Sequence, residues 1–354
     1  MRVLIAGGGV AGAAAACLLG PAATVVERET GAHDKICGEF LSVEAAGYLR
    51  RLGVDPVALG AVPVERVRLV HGARVAESVL PFTALGLSRR VLDAALLARA
   101  EALGATVVRG HSVRLEDGVP TVAGLGRFAG HTLFLATGKH DLRGARRELA
   151  RTPEDLVGLK MYLRLDLAQA AALAGAVEVV LFPGGYGGLQ AVEGGGVNLC
   201  LLVEREVFAA CGESWAGVQS MLEGQSAHLR ARLAGAVPLL ARPLAIFRVP
   251  YGFVHRGAED GVFRLGDQMA VIPSFSGDGV SMALHSAFRA VAGVSGGAAR
   301  YHRRVRADVS GQVGRAWAIY RAGRTMPEAM TRGARLWPGA MRWAARLTRV
   351  PVGA

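Results

Sequence analysis

The sequence predicts an α/β fold in which a Rossmann-type, dinucleotide-binding domain carries an inserted antiparallel-sheet domain and ends in a helical tail. Three observations predict it. At the N-terminus a short apolar strand runs into a glycine triplet and a helix. About 250 residues later a second strand ends in Gly266-Asp267, and Gly277-Asp-Gly279 leads into another helix. Between these stretches the composition changes to successive strand-like segments separated by turn residues. On this reading residues 1–151 and 258–296 form the nucleotide domain in two parts, 152–257 the inserted domain, and 297–354 the C-terminal helices.

The first thirty residues justify the nucleotide site. Arg2-Val-Leu-Ile-Ala6 is almost wholly apolar, long enough for a buried parallel strand and too short for a helix. The following segment fits G-x-G-x-x-G through Gly7, Gly9 and Gly12, with Val10 and Ala11 inside it. Gly7 permits the tight turn and Gly9 lets the backbone approach a pyrophosphate, while Gly12 and the alanines after it let helix and strand pack closely. Ala13 to Leu19 reads as the helix, whose free N–H groups face the phosphates. Ala23-Thr-Val-Val-Glu27 is a second strand ending in an acid, placed to accept from a ribose hydroxyl. A plain tight turn would require neither the strands nor the acid.

The rest of the chain follows in order. His33 to Phe40 is polar and irregular, and a helix capped by Ser42 with Glu44 near its start runs through Tyr48 and Leu52 to Gly53. Val64 to Leu80 alternates as two strands around a His71-Gly-Ala turn. Ser88 to Leu103 is the most regular helix, with Leu92, Leu96 and Leu97 on one face and Gly104 as its stop. Ala105–Val108, Ser112–Glu116 and Leu133–Ala136 are strands, the last ending at Thr137-Gly138. In the inserted block, Leu156–Leu165, Val177–Phe182, Leu189–Val192 and Val197–Val203 read as antiparallel strands, and Phe208 to Leu233 supplies helices. Val262–Leu265 is the strand before Gly266-Asp267, and Val280–Val294 is a helix whose N-terminus is open to an anion.

Bulk properties bound the partners. At 354 residues the chain can bury a proper core, and its apolar runs, such as Ala94-Ala-Leu-Leu-Ala98, fall far short of the roughly 18 residues a membrane span needs. The first strand begins at residue 2, without a secretory leader, so a cytoplasmic location is expected. Cys17, Cys37, Cys200 and Cys211 show no metal-ligand spacing, so free thiols and no metal are expected. The net charge of +12 concentrates in the tail, where twelve arginines from residue 296 onward face only Asp308 and Glu328. No aromatic stacking platform accompanies that charge, which argues against nucleic acid. Arginine outnumbers lysine throughout, with only Lys35, Lys139 and Lys160 present.

Five places then combine: Gly7 to Gly12, Glu27-Arg28, Ser88-Arg-Arg-Val-Leu-Asp93, Leu135-Ala-Thr-Gly138, and Gly266-Asp267 with Pro273 to Gly279. In this order they resemble the FAD-dependent monooxygenase and geranylgeranyl-reductase superfamily, flavoproteins built like para-hydroxybenzoate hydroxylase. The resemblance covers the nucleotide halves well and the middle domain poorly. It implies FAD, with the first motif on the pyrophosphate, Glu27 and Arg28 at the adenosine ribose, and Arg89 near the cofactor. It also implies Val113 at the adenine, Gly138 at the end of the matched strand, and Asp267 on the ribityl chain. Pro273, Gly277, Gly279 and Val280 would bring a helix start to the pyrimidine edge, where a reduced flavin carries negative charge. NAD(P)H is the implied electron donor, directly or through a reductase partner. Such monooxygenases carry an Asp-Gly pair where this chain reads Ala136-Thr-Gly-Lys-His-Asp-Leu-Arg143. The Trp-x-Trp-x-Ile-Pro pattern of flavin halogenases is absent, and Gly185-Tyr-Gly-Gly-Leu-Gln190 replaces the Tyr-x-Trp-x-Phe-Pro stretch of the reductases. Lys35-Ile-Cys-Gly-Glu-Phe40 is similar to the reductase and halogenase branch.

Candidate catalytic groups are few. Cys37 lies beside Lys35 and Gly38 in a segment expected to cross the flavin, either as a thiol whose pKa a cation lowers or as a small residue that permits close approach. Tyr186 and Gln190 fall on the strand expected over the ring. Lys160, on an apolar strand, needs a partner or a substrate contact, or must snorkel to solvent. Of the nine histidines only His228 and His285 fall on expected helices, the others on turns or surface, and none stands out as a general base. Sparse chemistry of this kind suits a flavoenzyme. The favoured reading is an FAD-dependent monooxygenase of a hydrophobic, aromatic or polyketide-type secondary metabolite. A reductase of isoprenoid C=C bonds is the alternative, and a non-catalytic flavin-binding or electron-transfer protein a lesser one. In the tail, Trp337, Met341 and Ala344-Ala345 share one helical face, with Arg342, Arg346 and Arg349 on another. The apolar face is expected to pack on the nucleotide domain; a weak contact with an anionic membrane is the alternative. The oligomeric state is left open.

Overall fold

In the computed structural model, which describes residues 1–149, 155–257 and 261–351, Val3–Ala6 is the central strand of a five-stranded parallel sheet. Thr132–Leu135 and Val262–Arg264 extend it on one side, Ala23–Glu27 and Thr106–Arg109 on the other. The central strand is buried on both faces, which is why its sequence is apolar without alternation. Helices Val10–Leu19, Arg89–Ala102 and Gly279–Gly293 share one core on one side of the sheet. The first helix starts at Val10 rather than Ala13, so the glycine motif itself forms its first turn. A Cβ on Gly12 would overlap the Gly7 carbonyl, and Ala13 to Ala16 are fully buried, so only small residues permit this packing. On the other side Val113–Glu116, Val119–Val122 and Gly126–Arg127 form a small sheet, whose Val113 and Val122 pack on Leu4, Val26 and Leu133.

The second sheet contains the expected antiparallel strands, Leu156–Arg164, Ala176–Phe182, Gly185–Ala191 and Val197–Glu204. It does not stop there. Ala176–Phe182 continues into the hairpin Val62–His71 and Arg74–Gly86, and that hairpin into Phe40–Leu41. The seam between Ala176–Phe182 and Val62–His71 is parallel, a pairing that needs a long crossover; the intervening chain, which includes two strands of the first sheet, supplies it. Along Leu156–Arg164, Val157, Leu159, Met161 and Leu163 pack under helices Trp215–Gln225 and Ala227–Leu233. Period-2 alternation therefore turns Lys160 and Tyr162 to the opposite face, toward the first sheet. Both expected boundaries of the inserted block lie at the edge of, or within, residues that are not described.

The tail consists of Ala298–Thr325, Pro327–Leu336 and Gly339–Leu347. Pro327 and Pro338 begin new helices, so the chain folds back across the second sheet, and the last two helices lie against Arg74–Gly86. The expectation placed the tail's apolar face on the nucleotide domain; the strand it meets lies within residues 1–151 but belongs to the second sheet, not to the parallel one. This packing also splits that face: Met341, Ala344 and Ala345 turn inward, while Trp337 stays 66% exposed. His302, expected on the surface, is buried in the first tail helix, where Nε2 accepts from the Arg264 backbone N–H at 3.1 Å. No helix among the described residues is long and apolar enough to cross a membrane.

Candidate active site

A cleft of about 890 Å³ opens where the C-terminal ends of the parallel strands meet the even-numbered face of the second sheet. Gly7, at φ +105°, brings the turn so close to the chain that a Cβ there would sit 2.6 Å from the Ala136 carbonyl. At Gly9 a Cβ would point at Arg89 Nη2 (3.3 Å) and Lys35 Nζ (3.4 Å), so two cations face the turn. Both are held by Asp93, at 2.8 Å from Arg89 and 2.9 Å from Lys35. Burial would raise the Asp93 carboxyl, but the two cations keep it below the usual carboxylate range. With Gly9 as an N-cap that offers no side-chain hydrogen bond, the helix start leaves N–H groups for a pyrophosphate.

Glu27 lies at the next position along the cleft. Its Oε2 accepts from Gly8 N at 2.7 Å and its Oε1 from Glu29 N at 3.1 Å, which holds the carboxylate still and leaves further lone pairs for ribose hydroxyls. Arg28 and Val113 line the same end. At the other end Asp267 pairs with Lys139 at 2.9 Å, and Arg147 donates to the Asp267 carbonyl. Burial opposes ionisation of Asp267, yet Lys139 outweighs it and lowers the pKa. Gly138, Gly277, Gly279 and Val280 complete this end. Gly277 adopts φ +72°, and a side chain there would run into the Phe40 ring. Helix Gly279–Gly293 has no side-chain cap, so its first N–H groups stay available. Two expected contacts lie outside the lining: Gly12 faces the helix–strand packing, and Pro273 sits behind the loop, where its carbonyl accepts from Ser276. The remaining geometry fits a flavin dinucleotide from adenosine to ring.

Cys37 lines the cleft as an unbridged thiol. Its carbonyl accepts from Asn198 Nδ2 at 2.9 Å and its Sγ from Glu39 N at 3.3 Å. Glu39, at φ +59°, is fully buried beneath this loop. Its Oε1 receives Lys160 Nζ at 2.6 Å, Tyr162 OH at 2.6 Å and Arg89 N at 2.7 Å. Burial pushes the Glu39 carboxyl up, with Lys160 opposing. Lys160 also donates to the Lys35 carbonyl at 3.0 Å and reaches neither cavity. Of the expected alternatives, a buried partner is the one seen, Glu39 beneath the Cys37 loop, rather than a side chain that snorkels to solvent.

A second cavity of about 170 Å³ lies between the second sheet and the tail helices. Val67, Leu69, Val177 and Val179 form its floor, with Met330 and Met341 above. Gly38, Phe40, Cys200, Ser274 and Gly277 line both cavities, so the apolar chamber and the cleft share a wall. At that wall Tyr186 OH and Tyr251 OH each lie 2.5 Å from Ser274 Oγ and 3.1 Å from one another. Burial raises both phenols, so they remain protonated donors. Gln190, 1% exposed, lines the chamber with both amide atoms unpartnered.

Sequence reasoning missed Lys139, Tyr251, Ser274, Asn198 and the role of Glu39. One signal was available. In an Arg-rich chain each of the three lysines lies at or beneath the cleft with an acid opposite it: Lys35 with Asp93, Lys139 with Asp267, Lys160 with Glu39. A compact point charge fits such positions where a planar guanidinium would not.

No protein-family model and no curated protein sequence matches this chain. Solved structures do. The flavin-dependent brominase Bmp2 superimposes over 98% of this chain and 92% of its own, with a TM-score of 0.78 at 18% identity. PqsL, a probable FAD-dependent monooxygenase from Pseudomonas aeruginosa, covers 95% and 99%, with a TM-score of 0.72 at 15% identity. A geranylgeranyl bacteriochlorophyll reductase-like protein from Thermoplasma acidophilum covers 99% and 93%, with a TM-score of 0.75 at 16% identity. At these identities the likeness is one of fold. The expected architecture, a parallel-sheet α/β domain with an antiparallel-sheet domain and a helical tail, is the one observed, and these structures share it.

Proposed function

We propose that the protein is an FAD-dependent monooxygenase that hydroxylates a compact, largely apolar aromatic molecule. The observation that carries this reading is the wall shared by the nucleotide cleft and the apolar chamber. FAD, when bound, supplies the redox chemistry with dioxygen. The chain binds and orients: Gly9, Arg89 and Lys35 take the pyrophosphate, Glu27 the ribose and Asp267 the ribityl hydroxyls. The uncovered start of Gly279–Gly293 stabilises negative charge on the reduced ring. Tyr186, Ser274 and Tyr251 close the wall with their hydroxyls satisfied by one another. One oxygen atom of O₂ is inserted into a C–H bond to give C–OH; the other leaves as water, with two electrons and one proton supplied as a hydride equivalent by NAD(P)H, directly or by way of a reductase, and the second proton taken from solvent.

Chamber size separates this reading from isoprenoid reduction. A cavity of about 150 Å³ holds a single benzene ring, and the chamber here is 170 Å³. The test is product analysis with FAD, NADPH or a chemical reductant, O₂ and single-ring phenols. Gain of one oxygen atom supports the proposal. Saturation of an alkene without oxygen, or halide-dependent substitution, would replace it, and a protein that takes up no flavin would end it.

A further inference from the structure

Gln190 occupies a position where the pattern of its sheet calls for an apolar side chain. It shares a face with Tyr186 and Gly188, turned away from the core that takes Leu189. Its amide is shielded from solvent, yet neither Oε1 nor Nε2 has a hydrogen-bond partner. A buried amide in that state has lost its hydrogen bonds to water without replacement, which is destabilising. The residue opposite it in the ladder, Asn198, supplies no donor to Gln190 Oε1, because its Nδ2 is committed to the Cys37 carbonyl and its Oδ1, itself unpartnered, can only accept. Of the other polar groups that line the chamber, Tyr320 OH is also without a hydrogen-bond partner, whereas the serines and Tyr186 are engaged. Tyr186 and Ser274 bond to one another, and Ser276 Oγ donates to the Pro273 carbonyl. Arg349 leaves Nε and Nη1 open, but its charge is met by Asp278 at 3.2 Å, and it offers only donors. Gln190 Oε1 is thus, with Tyr320 OH, an acceptor left open in a largely apolar chamber, and it is the one carried on the sheet.

We infer that Gln190 reads the substrate, and that the chamber selects a single-ring compound bearing a hydroxyl that donates to Gln190 Oε1, a phenol rather than a bare hydrocarbon. The inference rests on the chamber being the substrate site, and it gives that site an orientation. Asn198, opposite Gln190, holds Cys37, and Phe40 pairs with Gly86, where a Cβ would lie 3.3 Å from Gln190 Nε2. The oxygen-bearing end of the ring is therefore held against the shared wall. A site built around an open hydrogen-bonding group discriminates strongly against a ligand that leaves it unpaired.

The experiment uses phenol and toluene, which have nearly the same shape, as probes of direct binding. Calorimetry or ligand-observed NMR is run on the purified full chain, on Gln190→Leu and on Gln190→Met. The wild type should bind phenol about tenfold tighter than toluene. Both variants should lose that preference, hold toluene as well or better, and melt no lower than the wild type, since an unpaired buried amide has been removed. Equal affinity for the two probes in the wild type, or no phenol binding, overturns the inference. So do variants that melt lower and keep the preference, because they would make Gln190 a structural residue. Flavin content and turnover are measured separately. A protein that prefers phenol but forms no oxygenated product would sink hydroxylation and leave this inference standing.

Discussion

Along the cleft, Lys35 and Lys139 face Asp93 and Asp267, and Lys160 faces Glu39 beneath the Cys37 loop, whereas in the adjoining chamber the Gln190 amide faces nothing. The cleft holds its polar groups in place before any ligand arrives. Its charges are paired, its glycines sit where a side chain would collide, and its helix starts are fixed by the sheet. The chamber is mostly apolar, and two of its polar groups, the Gln190 amide and the Tyr320 hydroxyl, stand without partners. Its walls are largely Val, Leu and Met of the second sheet and the three tail helices. A cofactor site needs preorganised electrostatics, while a substrate site needs shape and one discriminating contact.

Breaking the network under the loop should have the largest effect. Lys160→Met leaves Glu39 buried without its cation, and loss of about 3–5 kcal/mol is expected in denaturant unfolding. A variant as stable as the wild type would show that the pair does not hold the loop.

Asp267→Ala acts on the cleft alone. It removes a charge-assisted polyol contact worth about 1.5–3 kcal/mol, roughly tenfold or more in FAD affinity. It also leaves Lys139 without the acid at 2.9 Å. Flavin retention through dilution and gel filtration checks this, with toluene binding in the chamber unchanged.

Gly188→Leu acts on the chamber. Gly188 has room, its nearest neighbour to an added Cβ being the Cys200 carbonyl at 4.0 Å, so the new side chain projects into the cavity. Ring binding should fall about tenfold, the cost of overfilling a packed space, while FAD affinity holds. Loss of both would show that the two sites are not separable.

Asp278 joins the two regions through Arg349. Its carboxyl is pushed up to about 7, chiefly by burial and also by Glu44, with Arg349 and the Ser281 and Thr348 hydroxyls opposing. A folded pKa above the unfolded value means that the native state binds the extra proton. This group's contribution to stability is therefore greatest below about pH 4 and declines as pH rises to about 7. Melting temperatures of the wild type and Asp278→Asn across that window should converge on this difference in slope; parallel curves would refute it.

The smallest effect lies on the outer side of the tail helices. Leu336, Trp337 and Trp343 are 88%, 66% and 61% exposed among the exposed Arg332, Arg335, Arg342 and Arg346. Weak co-sedimentation with anionic vesicles is expected, about 1 kcal/mol per arginine near the surface. High salt and a Trp337→Ser, Trp343→Ser double variant should abolish it, and binding that persists in either case would exclude this face.

The nucleotide half was legible in the sequence because its physics is local. Gly7, Gly9, Gly12 and Glu27 lie within one strand–helix–strand unit, and Ser88 caps its helix as the pattern expects. Short-range sterics and hydrogen bonding dictate those residue types one by one. The chamber was not legible, because no single segment contains it. Phe40, Leu69, Gln190, Ser274 and Met341 come from five parts of the chain, and each alone reads as an ordinary core or loop residue. Lys160 shows the same limit within one strand: alternation places it opposite the Leu159 face, but only the folded chain brings Glu39 to it. Residue type and spacing determined where the glycine-lined cleft forms; the pairing of distant strands and the return of the tail decided what lies beside it.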